Sequence, residues 1–347
     1  MAVSDHRQQN DGRSPELPEV IVLNAPLILT MFEDQLSSKF HLLKALDSEL
    51  PLHQFLAVNA QSVRAMLCTV NGPPVTADIL QLLPSLRLIV TTTAGINHID
   101  VSECRSRGIS VANAGDVFSA DCADYAVGLL IDVLRKISAA DRYVRKGHWA
   151  NLGDFPLGSK LRGKRVGIVG LGRIGIQVAK RLEAFGCSIS YNSRKKKDFV
   201  EYPFYANVCE LAADMDVLII CCALTDQTRH MIDRKVLLAL GKEGVIVNIG
   251  RGAIVNEKEM VECLVHGEIG GAGSDVFENE PDVPKELFEL ENVVLSPHLA
   301  IFSPESLRRK SRGMLWLHGE IGGAGSDVFE NEASMSLCRI PFFKNNV

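Results

Sequence analysis

The sequence predicts an α/β protein of two doubly wound, parallel-sheet units, and three observations predict it. Short apolar, β-branched runs alternate with helical stretches along most of the 347 residues. That is the pattern of parallel strands covered by helices on both faces. The alternation occurs twice, over about residues 18–111 and again from Arg165, and a chain of this length accommodates two ordinary domains. Only the second alternation carries a glycine fingerprint, Gly170-Leu-Gly-Arg-Ile-Gly175, directly after the apolar run 166–169.

Taken in order, residues 1–17 are polar and of mixed charge, with no apolar segment for secretion, and read as a disordered leader. Strands are expected at 19–23, 65–69, 87–91 and 109–111, separated by helical stretches such as 77–83. Ser119 is expected to cap a long apolar helix that ends near Arg135 and Lys136. Asp121 and Asp124 lie towards its positive end and the two cations at its negative end, as the helix dipole prefers. A loop over 147–160 then leads into the glycine strand. Strands follow at 188–191, 216–220, 245–249 and 293–295, with an amphipathic helix over 174–186. The expected division is a substrate domain at 18–117, a dinucleotide domain at 118–300 and a C-terminal segment at 301–347, with ligands in the cleft between domains.

Composition narrows the function classes. Apolar residues at 46% and charged residues at 23% suit a soluble globular protein, and the net charge of −5 argues against a nucleic-acid partner. The longest apolar run, residues 217–224, is far short of the ~20 residues that span a bilayer, so no membrane partner is expected. Nine cysteines without a C-x-x-C pair suggest reduced core thiols and a cytoplasmic protein.

The fingerprint names a cofactor. Gly170 and Gly172 let the backbone turn tightly and approach a pyrophosphate. Gly175 lets the helix pack close to the strand, while Arg173 and Ile174 begin the helix whose positive end faces the phosphates. A site for NAD places an acid at the end of the next strand, about 20 residues on, against the ribose 2′-hydroxyl. Here Asn192 stands there, followed by Ser193, Arg194, Lys195, Lys196 and Lys197. A hydroxyl and four cations suit a 2′-phosphate, so NADPH is expected, with NADH weaker; the plainer reading of the run is a solvated charged loop.

One feature is anomalous. His266-Gly-Glu-Ile-Gly-Gly-Ala-Gly-Ser-Asp-Val-Phe-Glu-Asn-Glu280 recurs letter for letter as residues 318–332. A repeat protein would carry the period elsewhere, and this chain does not. The first copy is expected to be functional and the second a duplicated segment.

Five ordered motifs then carry a resemblance: Thr93-Ala-Gly-Ile-Asn-His-Ile-Asp100, Gly170-Leu-Gly-Arg-Ile-Gly175, Asn248-Ile-Gly-Arg-Gly-Ala-Ile-Val-Asn256, Ser274-Asp-Val-Phe-Glu-Asn-Glu-Pro281 and Leu295-Ser-Pro-His298. Over about residues 18–306 the chain resembles the D-2-hydroxyacid dehydrogenases, most of all the plant glyoxylate and hydroxypyruvate reductases and their hydroxyphenylpyruvate reductase relatives. The resemblance implies two Rossmann-like domains, the first flavodoxin-like, and NADPH-dependent reduction of a small 2-oxo acid to the D-2-hydroxy acid.

Arg251, flanked by glycines after a strand, offers a planar fork that binds a carboxylate bidentately and polarises a neighbouring ketone, the role the resemblance implies. His298 has a side chain that gives and takes a proton near working pH, and Glu280 matches the acid that hydrogen-bonds it and favours its charged form. By resemblance the backbone at Ala94, Gly95 and Ile96 receives the substrate carboxylate. Asp275 would lie near the nicotinamide amide, and Cys222, Ala223, Leu224 and Thr225 would pass the cofactor ribose. No metal is expected. A homodimer through the cofactor domain is implied, and Trp149 is either a core aromatic or one that enters a partner's pocket. The chain departs from the family after about Leu307, where a helix returning to the first domain is replaced by the duplicated block. Two other readings remain: a hydroxyphenylpyruvate reductase, and a non-enzymatic protein that senses NAD(H) and binds partners.

Overall fold

The computed structural model describes residues 17–24, 27–93, 95–308 and 338–339. The leader up to residue 16, Ala94 and the second copy of the duplicated block lie outside the described residues. The chain divides into two compact units, Met1–Gly115 with Arg308–Val347, and Asp116–Leu307.

The first unit holds β1 (Glu19–Val22), β2 (His41–Lys44), β3 (Ala65–Cys68), β4 (Leu88–Thr91) and β5 (Ser110–Asn113). They lie side by side in the order 2-1-3-4-5, all parallel, the doubly wound arrangement expected from the alternation. The short strand Cys338–Arg339 adds to β5 antiparallel. β3 is buried at every position, and Ile21, Leu56, Met66, Leu80 and Ile89 are fully buried around the sheet. Each such side chain contributes roughly 1.5–3 kcal/mol of burial. β2 has no counterpart among the expected strands, because His41 and Lys44 bracket only two apolar residues on an edge with one pairing neighbour.

The second unit holds β6 (Arg165–Val169), β7 (Ser188–Asn192), β8 (Phe204–Tyr205), β9 (Val217–Ile220), β10 (Val245–Asn248), β11 (Gly271–Ser274) and β12 (Val293–Leu295). The seven strands run parallel in the order 12-11-10-9-6-7-8. β9 and β10 are buried at every residue, which is why both read as unbroken apolar runs. β11, with the sequence Gly-Ala-Gly-Ser, was not expected as a strand. It has almost no intrinsic β-propensity and is held by pairing with β10 and β12 on either side.

Two expected local features are corrected. The helix Ser119–Arg135 forms, but Ser119 is its first helical residue rather than its cap; Phe118 occupies the capping position and offers no side-chain hydrogen bond. The serine hydroxyl thus sits one residue too late to accept from the first turn. The stretch 147–160 is not all loop, since His148–Leu152 forms a short helix after Gly147.

Candidate active site

Parallel sheets collect their loops at the carboxyl ends of the strands, where ligands bind. In the second unit every residue singled out for chemistry lies there: the glycine turn after β6, Ser193 after β7, Cys222 after β9, Arg251 after β10, Asp275 after β11 and His298 after β12.

The glycine turn is built by close approach. Gly170 has φ +99°, and a Cβ there would meet the backbone nitrogen of Cys222 at 2.6 Å, so only glycine fits between β6 and the loop after β9. A Cβ on Gly175 would meet the Gly170 carbonyl oxygen at 2.3 Å, which sets the helix Arg173–Ala184 directly against the turn. By contrast nothing lies within 4 Å of a Cβ built on Gly172. That open space faces the start of a helix to which Gly172 gives no side-chain cap. First-turn N–H groups have no acceptor within their own helix, so the cradle suits a pyrophosphate.

Across the cradle, the Cys222 to Thr225 loop folds on itself. Thr228 Oγ1 accepts from the Thr225 N–H at 2.7 Å and donates to the Ala223 carbonyl at 2.8 Å. Burial pushes the Cys222 thiol up to about 11, so it remains a neutral wall rather than a nucleophile.

At the end of β7 the Asn192 amide donates to the Tyr205 and Ala206 carbonyls, at 2.9 and 3.2 Å, and so ties down the edge strand β8. Asn192 is therefore structural. The Ser193 hydroxyl donates to the Lys195 carbonyl at 2.6 Å, and the Lys197 N–H donates to the buried Tyr191 hydroxyl at 2.7 Å. These two bonds curl the loop. Arg194, Lys195 and Lys196 are exposed, and none makes an ion pair with a described residue.

Arg251 follows a turn shaped by Asn248, whose side chain accepts from the Gly250 N–H at 3.0 Å and donates to the Arg251 carbonyl at 3.1 Å. The guanidinium is largely buried, and burial lowers its pKa while the Glu280 charge opposes that. One Nη donates to the Gly250 carbonyl at 2.6 Å, and the buried Nε has no partner among the described residues. A buried donor left unsatisfied costs roughly 1–3 kcal/mol. An incoming carboxylate or ketone oxygen would satisfy it.

His298 sits in the left-handed region at φ 56°, with its N–H donating to the Asp275 carbonyl at 2.8 Å. Its Nδ1 lies 2.8 Å from Glu280 Oε2. An ionised carboxylate only accepts, so Nδ1 carries the proton and Nε2 is left for a substrate. Burial alone would raise the Glu280 pKa. The His298 hydrogen bond, the Phe277 N–H at 3.0 Å and the charges of His298 and Arg251 outweigh burial and hold the carboxyl below its ordinary value of 4.5.

Asp275 serves the same loop. It is 1% exposed and accepts from Ser296 Oγ at 2.5 Å, Leu299 N–H at 2.7 Å and Ala300 N–H at 3.0 Å. Burial raises its pKa above the ordinary 3.8 despite these bonds. Ser296 also bonds Tyr125 at 2.7 Å. Tyr125, Ser296 and Asn248 thus support the site; Asn248 and Ser296 lie within the quoted motifs but were given no role there, and Tyr125 is a common residue type in an apolar helix with no spacing signal.

In the first unit, Thr91, Thr93 and His98 form a buried polar cluster at the end of β4. Thr91 Oγ1 lies 3.0 Å from both Thr93 Oγ1 and His98 Nε2, and Thr93 Oγ1 donates to the Gly95 carbonyl at 2.7 Å. That bond fixes the peptide leading into Ile96; Ala94 lies outside the described residues. Trp149 is 65% exposed, not a core residue.

A dinucleotide cradle beside a guanidinium, with an imidazole that trades one proton, is what reversible reduction of a carbonyl requires, and it defines a dinucleotide-dependent oxidoreductase. Comparison with known proteins gives the family. Residues 127–300 match the NAD binding domain of the D-isomer specific 2-hydroxyacid dehydrogenases, and the chain belongs to that family. It is 56% identical over 291 residues to a glyoxylate/hydroxypyruvate reductase of Arabidopsis thaliana, covering 84% of this chain and 90% of that one. A hydroxyphenylpyruvate reductase of Plectranthus scutellarioides is 47% identical over 270 residues, covering 78% and 85%. Among solved structures, an NADPH-dependent glyoxylate/hydroxypyruvate reductase of Sinorhizobium meliloti, in complex with NADP and malonate, is similar with a TM-score of 0.79. It is 34% identical and covers 86% of this chain and 92% of that one.

Proposed function

We propose that this enzyme reduces hydroxypyruvate and glyoxylate to their D-2-hydroxy acids at the expense of NADPH, with NADH a weaker donor. The observation that carries the reading is the buried Nε of Arg251, without a partner among the described residues, at the same carboxyl end of the sheet as the His298–Glu280 pair and the glycine cradle. The bound dinucleotide, held by Gly170, Gly172, Arg173, Ile174, Gly175, Asp275 and the Cys222 to Thr225 loop, supplies the hydride. Ser193, Arg194 and Lys195 take its 2′-phosphate, which the exposed cations, in no ion pair with a described residue, support.

Arg251 grips the substrate carboxylate and polarises the adjoining ketone, while the backbone of Ala94, Gly95 and Ile96 receives carboxylate oxygen. In its doubly protonated form His298 donates the Nε2 proton to the ketone oxygen and is left neutral with its proton on Nδ1. Glu280 holds the ring by that Nδ1 before and after the transfer, and balances its positive charge beforehand. Asp275 holds the loop from which His298 projects.

The finer assignments follow. The enzyme works as a homodimer through the second unit, a reading supported by exposed apolar side chains concentrated in one stretch: Ile137, Val144, Trp149, Leu152 and Leu157, the last 92% exposed. It works in the cytoplasm, a reading supported by eight free cysteines among the described residues. No described helix is long and apolar enough to cross a membrane. The similarity to a hydroxyphenylpyruvate reductase favours one second reading, an aromatic 2-oxo acid as substrate.

NADPH oxidation with hydroxypyruvate, glyoxylate and hydroxyphenylpyruvate, repeated with NADH, tests the proposal. Fastest turnover is expected with NADPH and hydroxypyruvate. Fastest turnover with the aromatic acid would select the second reading, and none with any acid would overturn both.

A further inference from the structure

Glu280 acts on His298 from a short segment, residues 277–280, that belongs to no helix or strand. Such a segment holds position through what touches it: Phe277 is buried in the core and its N–H bonds Glu280, and three further contacts bear on the segment from outside. A Cβ built on Gly252 would lie 1.9 Å from the Phe277 carbonyl carbon and 2.3 Å from the Glu278 nitrogen, so the segment is pressed against the residue next to Arg251. Glu257, 8% exposed, accepts from the Glu278 N–H at 3.0 Å. His230, itself in the left-handed region at φ 52°, donates Nε2–H to Glu278 Oε1 at 2.7 Å. Its own N–H donates to the Ala253 carbonyl at 2.8 Å, which anchors His230 to the Arg251 loop.

Glu278 and Glu280 are therefore a matched pair. Each holds one imidazole, His230 on one side and His298 on the other, at 2.7 and 2.8 Å. Glu257 is a costly way to satisfy one backbone N–H. Burial and the Glu278 and Glu280 charges raise its pKa above the ordinary 4.5, although the Glu278 N–H works in the other direction. A carboxyl kept in so unfavourable a place calls for a reason, and the surface His230 reaches the same residue from outside.

We propose that Glu257 and His230 are positioning residues for proton donation: together they clamp Glu278, and through it keep Glu280 on His298. The inference rests on the proposed roles of Glu280 and His298, and deepens them. The clamp acts through Glu278 alone and requires neither Glu257 nor His230 to touch substrate or cofactor. Loss of the clamp lets the segment drift, so His298 presents its proton less often in line with the ketone oxygen. Binding of substrate by Arg251 is unaffected.

The test compares Glu257→Leu, Glu257→Gln, His230→Asn and Glu280→Gln with the wild type, reading kcat, KM, NADPH affinity and the solvent deuterium isotope effect. Glu257→Leu removes the acceptor and is expected to lower kcat about 10-fold with KM and NADPH affinity unchanged, the loss of roughly one hydrogen bond to a charged acceptor. Glu257→Gln keeps an acceptor oxygen and is expected to recover most of that loss. The isotope effect should rise in Glu257→Leu and fall back in Glu257→Gln, because mispositioning slows the proton step and not the release of product. His230→Asn loosens the clamp from the surface, with asparagine tolerating the left-handed backbone, and should move kcat and the isotope effect the same way even if Glu257→Leu folds poorly. Equal losses in the leucine and glutamine variants, or a kcat loss with an unmoved isotope effect, would overturn the clamp. Glu280→Gln separates the two levels. If it loses turnover while the Glu257 and His230 variants do not, the clamp alone fails; if it keeps full turnover, the assignment of Glu280 fails and takes the clamp with it.

Discussion

Gly252→Ala is the most direct perturbation of the site that leaves the chemical identity of Arg251, Glu280 and His298 unchanged. The new Cβ would lie 1.9 Å from the Phe277 carbonyl carbon and 2.0 Å from its oxygen, where ordinary contact needs 3.4 Å or more. Both obstacles are backbone, so no side chain can rotate away, and the two chain segments must separate by about 1.5 Å. Glu280 rides on the displaced segment. A separation of that size carries its carboxylate from 2.8 Å to well beyond hydrogen-bond range of His298 Nδ1. Losing a hydrogen bond between charged groups costs roughly 1.5–3 kcal/mol, which is about 10- to 150-fold in kcat/KM. The assay is NADPH oxidation with hydroxypyruvate, with the inhibition constant of a 2-oxo acid analogue such as oxamate measured alongside. The analogue reports Arg251 and is expected to bind as before. Turnover within threefold of wild type, or an inhibition constant that rises in step with the lost turnover, would refute the reasoning, the second by showing that Arg251 moved instead.

Other expectations follow from the same geometry. Arg251→Ala should lower kcat/KM about 10³-fold or more with NADPH affinity intact, and Arg251→Lys should restore little, since a point charge does not replace the fork. Replacing Arg194 and Lys195 together by alanine should weaken NADPH roughly 10-fold or more and leave NADH unchanged, read from the two Michaelis constants. Glu257→Gln should gain thermal stability relative to wild type as pH rises from about 4 to 8. The Glu257 pKa is raised in the fold, so the wild type bears a buried charge once pH passes the folded value, and the glutamine does not. A melting-temperature difference that is flat or reversed over that range would contradict this. For the proposed homodimer, Trp149→Ser with Leu157→Ser should shift the protein towards monomer in size-exclusion chromatography with light scattering, and a wild type that elutes as monomer would refute the proposal.

The sequence held much of this in its periodicities. β9 and β10 are buried on both faces, so their strands read as unbroken apolar runs, and the glycine turn was legible because a pyrophosphate cradle admits few residues at Gly170 and Gly175. The edge strand β2 and the glycine-rich β11 gave no such signal, because pairing with neighbours far along the chain holds them, not their own composition. Ser119 misled for a related reason: its residue type suits a cap, but the entry of the chain, with its N–H bonded to the Asp116 carbonyl, put it one place inside the helix.

For the site, local spacing and residue type by themselves pointed to the cofactor cradle and to Arg251 and His298 after strand ends, while Glu280 was named only through the resemblance to the family. Only the tertiary structure decided how they are held. The Asp275 carboxylate under the His298 loop and the pairing of Glu278 with both Glu257 and His230 join residues 20 or more positions apart, and the same packing leaves the Nε of Arg251 buried with no partner among the described residues. Backbone preferences act over a few residues and leave a mark on composition. A hydrogen bond across a sheet's loops exists only after long-range packing has brought its donor and acceptor together, and two ordinary residue types carry no mark of it beforehand.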